Sequence, residues 1–239
     1  MSIDQRIAFD GHDLSPYMLV TDVKRQVAPK RRITQTQVPG MDGALVSSVE
    51  LDAVEITVSG CITRRLMCDV ADARKALATC LSAKQPAPLV LPDDPTTYLM
   101  ALYEGGAEPS KLAHVPDVDL VFLCADPVSY GQHRSASVSG TKRLRVGGNY
   151  PARPVVTVKP PKGSQWQLTN VDTGEYVRVL ASFTGSQSVV LDMGLERCTV
   201  NGTDHAVDIT SDFFSIEGDV SLMVSGGTAT VEWDERWLG

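Results

Sequence analysis

Four histidines, His12, His114, His133 and His205, are the side chains that ordinarily titrate near neutral pH, and all four fall in stretches that read as loops or turns. A general base needs a partner that fixes it. No Gly-x-Ser-x-Gly elbow, phosphate-cradling Gly-x-x-x-x-Gly-Lys-Ser/Thr loop, His-Glu-x-x-His helix or dinucleotide glycine fingerprint supplies one. The acidic pairs Asp93-Asp94, Asp117 with Asp119 and Asp208 with Asp212 are the types that hold calcium or cleave glycosides, but surface turns produce the same pairs. Asp204-His205, beside the Asn201-Gly202 turn, is a weak metal candidate for which hairpin-loop polarity is the simpler account. The five cysteines, Cys61, Cys68, Cys80, Cys124 and Cys198, are widely spaced, include no Cys-x-x-Cys pair and have no histidine at zinc-ligand spacing, so they read as reduced thiols packed as small hydrophobes. The expectation is a protein that is not an enzyme, with no catalytic residues, no metal and no cofactor.

The strongest local chemical signal is positive charge at Lys24-Arg25 and Lys30-Arg31-Arg32, in a chain whose net charge is -7. A solvated strand end accounts for it, and so does docking against an acidic neighbour. Nucleic acid ranks third, because no aromatics interleave with these cations and the overall charge repels phosphate. No apolar run reaches the roughly 20 residues that cross a bilayer, and Met1-Ser2-Ile3-Asp4-Gln5-Arg6 lacks the basic-then-apolar order of a signal peptide. Folding in the cytoplasm, without membrane insertion, is expected.

Turn-punctuated strands must position these residues. Ile7 and Phe9 precede a Gly11-His12-Asp13 turn, and Tyr17 to Val23 forms the next strand. Ile33 to Val38, the turn Pro39-Gly40-Met41-Asp42-Gly43 and a second extended stretch predict a long hairpin. Its returning strand is assigned to the clearest period-two pattern, with Val54, Ile56, Val58, Gly60 and Ile62 on one face and Glu55, Thr57 and Ser59 on the other. One helix follows, capped by Asp69 and burying Val70, Ala73, Leu77, Cys80 and Leu81. Strands return at Leu89 to Leu91, Tyr98 to Tyr103 and Val118 to Cys124.

From Ser129 to Gly148 the chain is polar and reads as a connector carrying one strand. Beyond Tyr150, turn signals recur every 8 to 12 residues or so, the spacing of a β-sandwich or barrel. The predicted fold is mainly β: an N-terminal sandwich-like domain over residues 1–133 with one helix and the long hairpin, a connector over 134–149, and a C-terminal β-sandwich over 150–239.

The order of these features resembles the distal tail protein family of siphophages. Phe9-Asp10-Gly11-His12-Asp13-Leu14 is similar to the family's opening strand and turn, and Val38-Pro39-Gly40-Met41-Asp42-Gly43 to its Pro-Gly-x-Asp-Gly segment, with Met41 where a basic residue is expected. Phe122 to Tyr130 resembles the close of the first domain. Gly148-Asn149-Tyr150-Pro151-Ala152-Arg153-Pro154, Asp212-Phe213-Phe214 and Arg236-Trp237-Leu238 resemble the galectin-like C-terminal domain. The resemblance implies a structural hub of the tail tip or baseplate in the virion. It would be a homohexameric ring joining the tail tube protein to a tail-associated lysin or fibre complex, with a receptor-binding protein nearby. It is a short form, since 239 residues leave no room for a carbohydrate-binding insertion. The residues expected to make contacts are Lys30, Arg31, Arg32, Pro39, Gly40, Asp42 and Gly43, on a hairpin that reaches a neighbouring protomer's strand edge. The alternative is a carbohydrate-binding adhesin using an aromatic such as Trp166, Tyr176 or Trp233, and the third reading is another ring-forming component such as a tube protein.

Overall fold

The computed structural model describes residues 6–62, 70–105 and 117–239. Asp69, Cys68 and His114 lie outside them. The chain divides into two compact units, Met1–Ser129 with Leu238–Gly239, and Tyr130–Trp237.

In the first unit β1 (Ala8–Phe9), β2 (His12–Asp13) and β3 (Met18–Lys24) lead to β4 (Arg31–Thr36), β5 (Leu45–Leu51) and β6 (Val54–Ile62). Helix α1 (Val70–Cys80), β7 (Ala87–Leu91), β8 (Asp94–Gly105) and β9 (Asp117–Cys124) complete it. Antiparallel pairing gives the order β3-β6-β9-β8-β7-β1-β2. The alternation read at Val54 to Ile62 is the alternation of burial in β6, whose inward side chains meet those of β9. Phe122 is wholly buried at the centre, its ring 5.2 Å from Phe9 and 5.7 Å from Tyr103. Ala73 and Leu77 come from the helix to the same core, joined by Leu81 from the turn that ends it, while Cys80 is only half-buried.

Gly60 occupies a core-facing position of β6 for a steric reason. A β-carbon there would stand 2.5 Å from the Leu19 carbonyl oxygen and 2.8 Å from Met18 Cε. Gly60→Ala is therefore expected to cost about 1–3 kcal/mol by overpacking, read as a lower urea midpoint with unchanged slope.

The structure corrects the hairpin. Its returning strand is β5, and β6 belongs to the main sheet between β3 and β9. The hairpin closes at its base where Asp52 N donates to Lys30 O at 2.8 Å, so the chain has left it before β6 begins.

The second unit contains β10 (Ser129–Arg145), β11 (Val155–Val158), β12 (Gly163–Asn170), β13 (Tyr176–Phe183), β14 (Val189–Asp192), β15 (Arg197–Val200), β16 (Thr203–Asp204) and β17 (Asp219–Trp237). The strand expected within the connector stretch is β10, which takes up most of it. Sheet order runs β16-β15-β14-β11-β17-β10, with β12 joining β13 to β17. The Asn201-Gly202 signal is a two-residue turn between paired Val200 and Thr203, with both turn residues in the left-handed region. Strand β17 doubles back: Val146 N donates to Gly218 O, while Gly148 bridges Arg236, so both ends of the element lie beside one short segment. Trp166 anchors the core, fully buried among Leu168, Val177, Leu222 and Val231, and its indole N–H donates to Gly226 O at 2.9 Å.

Candidate functional site

Every predicted contact residue lies on one hairpin in the first unit. Arg31 and Arg32 open β4, Lys30 stands at the base, and Pro39, Gly40, Asp42 and Gly43 form the connecting loop; all seven are exposed. The loop begins with a turn in which Met41 N donates to Val38 O at 3.1 Å. Pro39 fixes its first corner, and Gly40, with φ of 82°, supplies the left-handed second corner of a type II turn. A β-carbon at Gly40 would meet nothing within 4 Å, so backbone conformation alone calls for glycine there.

Register then sorts the side chains. Cross-strand partners share a face, so Arg31 with Leu51, Ile33 with Val49 and Gln35 with Val46 lie on one side. Arg32 with Glu50, Thr34 with Ser48 and Thr36 with Leu45 lie on the other. The polar side is tied by an Arg32–Glu50 ion pair at 2.6 Å, which holds the guanidinium proton above its ordinary range through that hydrogen bond. The opposite side is open and carries an apolar patch between Arg31 and Gln35, with Ile33 56%, Val46 52% and Val49 52% exposed. Among the described residues β4 and β5 pair only with each other, which leaves both outer edges with unpaired backbone groups. A free-standing ribbon about 20 Å long, with an apolar patch on one face and open at both edges, has the makings of a strand-pairing arm.

The apolar trio Ile33, Val46 and Val49 was missed by sequence reasoning. A bulge between Thr34 and Gln35 shifts the register, so the apolar residues of β5 do not alternate along the sequence. The missing cue was the bulge, which one strand's sequence does not encode.

Several of the remaining chemical candidates have structural partners. Arg25 pairs with Asp93 at 3.0 Å. Burial disfavours ionisation of Asp94, yet hydrogen bonds from Thr97 and Thr96, with Arg25 nearby, hold its carboxyl below the ordinary range. Asp204 binds Arg197 at 2.5 Å, and His205 Nδ1 lies 2.8 Å from Ala206 O. Asp208 is held low chiefly by the backbone N–H of Thr210 and also pairs with Arg178. Asp117 and Asp119 sit in β9 opposite Cys61 and Ser59. Of the aromatics proposed as a sugar platform, Trp166 is buried and Trp233 is 5% exposed with its indole N–H on Val146 O. Tyr176 is half-buried, covered by the Arg178 guanidinium 5.0 Å from its ring. Burial removes both tryptophans from that role.

Four cysteines are described, all as free thiols. Burial pushes the Cys124 thiol up to about 12, with Asp126 adding to the effect, and burial pushes Cys198 up to about 11. The thiolate is the reactive species. Iodoacetamide at pH 8 is therefore expected to leave both unmodified in the native protein and to label both in urea, as read by peptide mass mapping.

Comparison with known proteins matches each unit separately. Residues 12–124 match the model of the phage tail protein RIFT-related domain, and residues 147–237 match that of the siphovirus-type tail component, C-terminal domain. The distal tail protein of Bacillus phage SPP1 is 22% identical, over 96% of this chain and 94% of its own. The chain belongs to the siphophage distal tail protein family. The fold agrees: the SPP1 distal tail protein, described as a paradigm of the hub adsorption apparatus in phages infecting Gram-positive bacteria, superposes with a TM-score of 0.83 at 21% identity, covering 98% of this chain and 99% of that one. A chain of the phage P2 baseplate in its activated conformation with strontium gives 0.53 at 8% identity, covering 96% and 97%. The chain thus shares its mainly β fold with the SPP1 distal tail protein and with a P2 baseplate chain at low sequence identity.

Proposed function

We propose that the chain is the structural hub of a long-tailed phage's tail tip, where six copies close into a ring joining the tail tube to the tail-associated lysin or fibre complex. The observation carrying this reading is the β4–β5 arm. Its apolar patch is exposed in the single chain, and its edges are open to a neighbour's strand. Among the described residues β3, at one end of the first unit's strand order, pairs only with β6 and offers the matching acceptor edge. Repeating that contact head to tail generates a closed ring when the rotation between copies divides the circle.

The arm residues Lys30, Arg31, Arg32, Pro39, Gly40, Asp42 and Gly43 then act in two ways. Pro39, Gly40 and Gly43 shape the tip, while the cations at the base meet acidic surface on neighbouring copies, each of which carries a net charge of -7. The second unit, read as galectin-like, has a structural role in which tail partners dock. The protein works by assembly and not by turnover, at the tip of the virion tail after synthesis in the host cytoplasm. Negative-stain imaging of the purified chain tests this: rings with a central hole are expected, and fields of single particles in the presence of tail tube protein would contradict it.

A further inference from the structure

The second unit carries a groove with no role so far. Strand β10 reverses at Gly140, where φ is 64° and Lys142 Nζ donates to Ser137 O at 2.8 Å. That brings Arg134 and Arg143 to the same cleft of about 630 Å³. A second cleft of about 560 Å³ continues it, and Arg145, Gly147, Gly148 and Trp237 border both.

The charges along this groove are unbalanced. Arg134 Nε binds Glu235 Oε1 at 2.9 Å, and Arg143 lies 3.3 Å from Asp219 Oδ2. Arg145 is exposed, and among the described residues no carboxylate stands within ion-pair distance of it. Beside it the Trp237 ring is 38% exposed. The stretch between is bare main chain for a steric reason: a β-carbon at Gly147 would stand 2.5 Å from Glu235 Oε1, and at Gly148 it would collide with the Arg236 carbonyl oxygen at 2.2 Å. Main chain without side chains lets another backbone lie close, and here that backbone is the chain's own at Arg236, which leaves Arg145 and Trp237 as the side chains that a ligand would meet.

We propose that this groove takes an extended acidic segment of a partner protein, with a carboxylate on Arg145 and an apolar side chain against Trp237. A neutral sugar fits less well, because hydroxyls need acceptors as well as donors and both carboxylates of the groove are already held by arginines. Arginine and tryptophan are also the side chains whose truncation most often weakens protein interfaces. The proposal rests on the hub reading for the existence of a protein partner and on the groove for its chemistry.

The test is fluorescence anisotropy of a labelled Glu-Glu-Leu-Glu-Glu peptide against the full chain, beside its Gln-Gln-Leu-Gln-Gln counterpart. Saturable binding of the acidic peptide alone is expected, falling with added salt and weakened about tenfold by Arg145→Glu. Trp237→Ala should weaken it as well, whereas Arg197→Glu on β15 should not. Arg145 is exposed, and circular dichroism checks that its variant is folded. Equal binding of both peptides, an unaffected Arg145→Glu variant, no binding at millimolar peptide, or preference for a galacturonate oligomer would each overturn the proposal. Light scattering on the same samples reports assembly independently, so a missing groove interaction is distinguishable from a missing ring.

Discussion

Ile33→Glu combined with Val49→Glu is expected to abolish ring assembly while leaving the chain folded. These side chains face each other across the arm and are more than half exposed in the single chain, so the substitutions remove nothing from either core. Stability of the isolated chain should change by no more than about 0.5 kcal/mol, as for other surface positions. At an interface the sign reverses. Covering the exposed halves of Ile33, Val46 and Val49 is worth about 1 kcal/mol or more each at roughly 25 cal/mol per Å² of apolar surface. The double variant loses much of that and must in addition desolvate two carboxylates at every contact. A closed ring repeats the penalty at each junction, so a change modest per copy removes the assembly. Sedimentation velocity at matched concentrations checks this, with urea unfolding of the same samples as the control.

The second large effect is on stability. Trp166→Ala should cost about 3–5 kcal/mol, because it empties the largest fully buried side chain of the second unit's core. The lost indole also leaves the Gly226 carbonyl without its 2.9 Å donor at the point where β17 doubles back. A penalty of that size is comparable with the whole stability of many domains. Near-UV circular dichroism of the variant is expected to lose the signal of a packed aromatic core at temperatures where the wild type keeps it. Were Trp166 a sugar platform on the surface, the same substitution would leave stability nearly unchanged.

What the sequence disclosed follows from which forces act locally. Strand β6 was legible because one buried face and one exposed or half-buried face impose strict alternation on Val54 to Ile62. The helix was legible from Ala73, Leu77 and Leu81, and the turns of the second unit from glycine and asparagine in left-handed conformations, as at Asn201-Gly202. The arm was legible only in part. Its tip showed in Pro39-Gly40, but its returning strand was misplaced onto β6, because β5 buries nothing in the single chain and its bulge breaks the alternation. The stretch of β10 read as a connector carrying one strand, with the strand's extent not visible, for a related reason. Of its 17 residues, Ser129, Val138 and Leu144 are the buried ones, and backbone pairing leaves little trace in side-chain type. The Arg145–Trp237 groove joins residues 92 positions apart (237 minus 145), which no local pattern reveals.

The central claim, that this chain assembles into a closed hub through the β4–β5 arm, is tested most directly by its solution mass. Multi-angle light scattering over a range of protein concentrations, on the wild type and on the Ile33→Glu/Val49→Glu variant, reads it in one experiment. A wild-type mass of about six times the 25.8 kDa chain, with a single-chain mass for the folded variant, is the predicted result. A wild type that stays a monomer at every concentration even with tail tube protein present, or a variant that assembles as the wild type does, would contradict it.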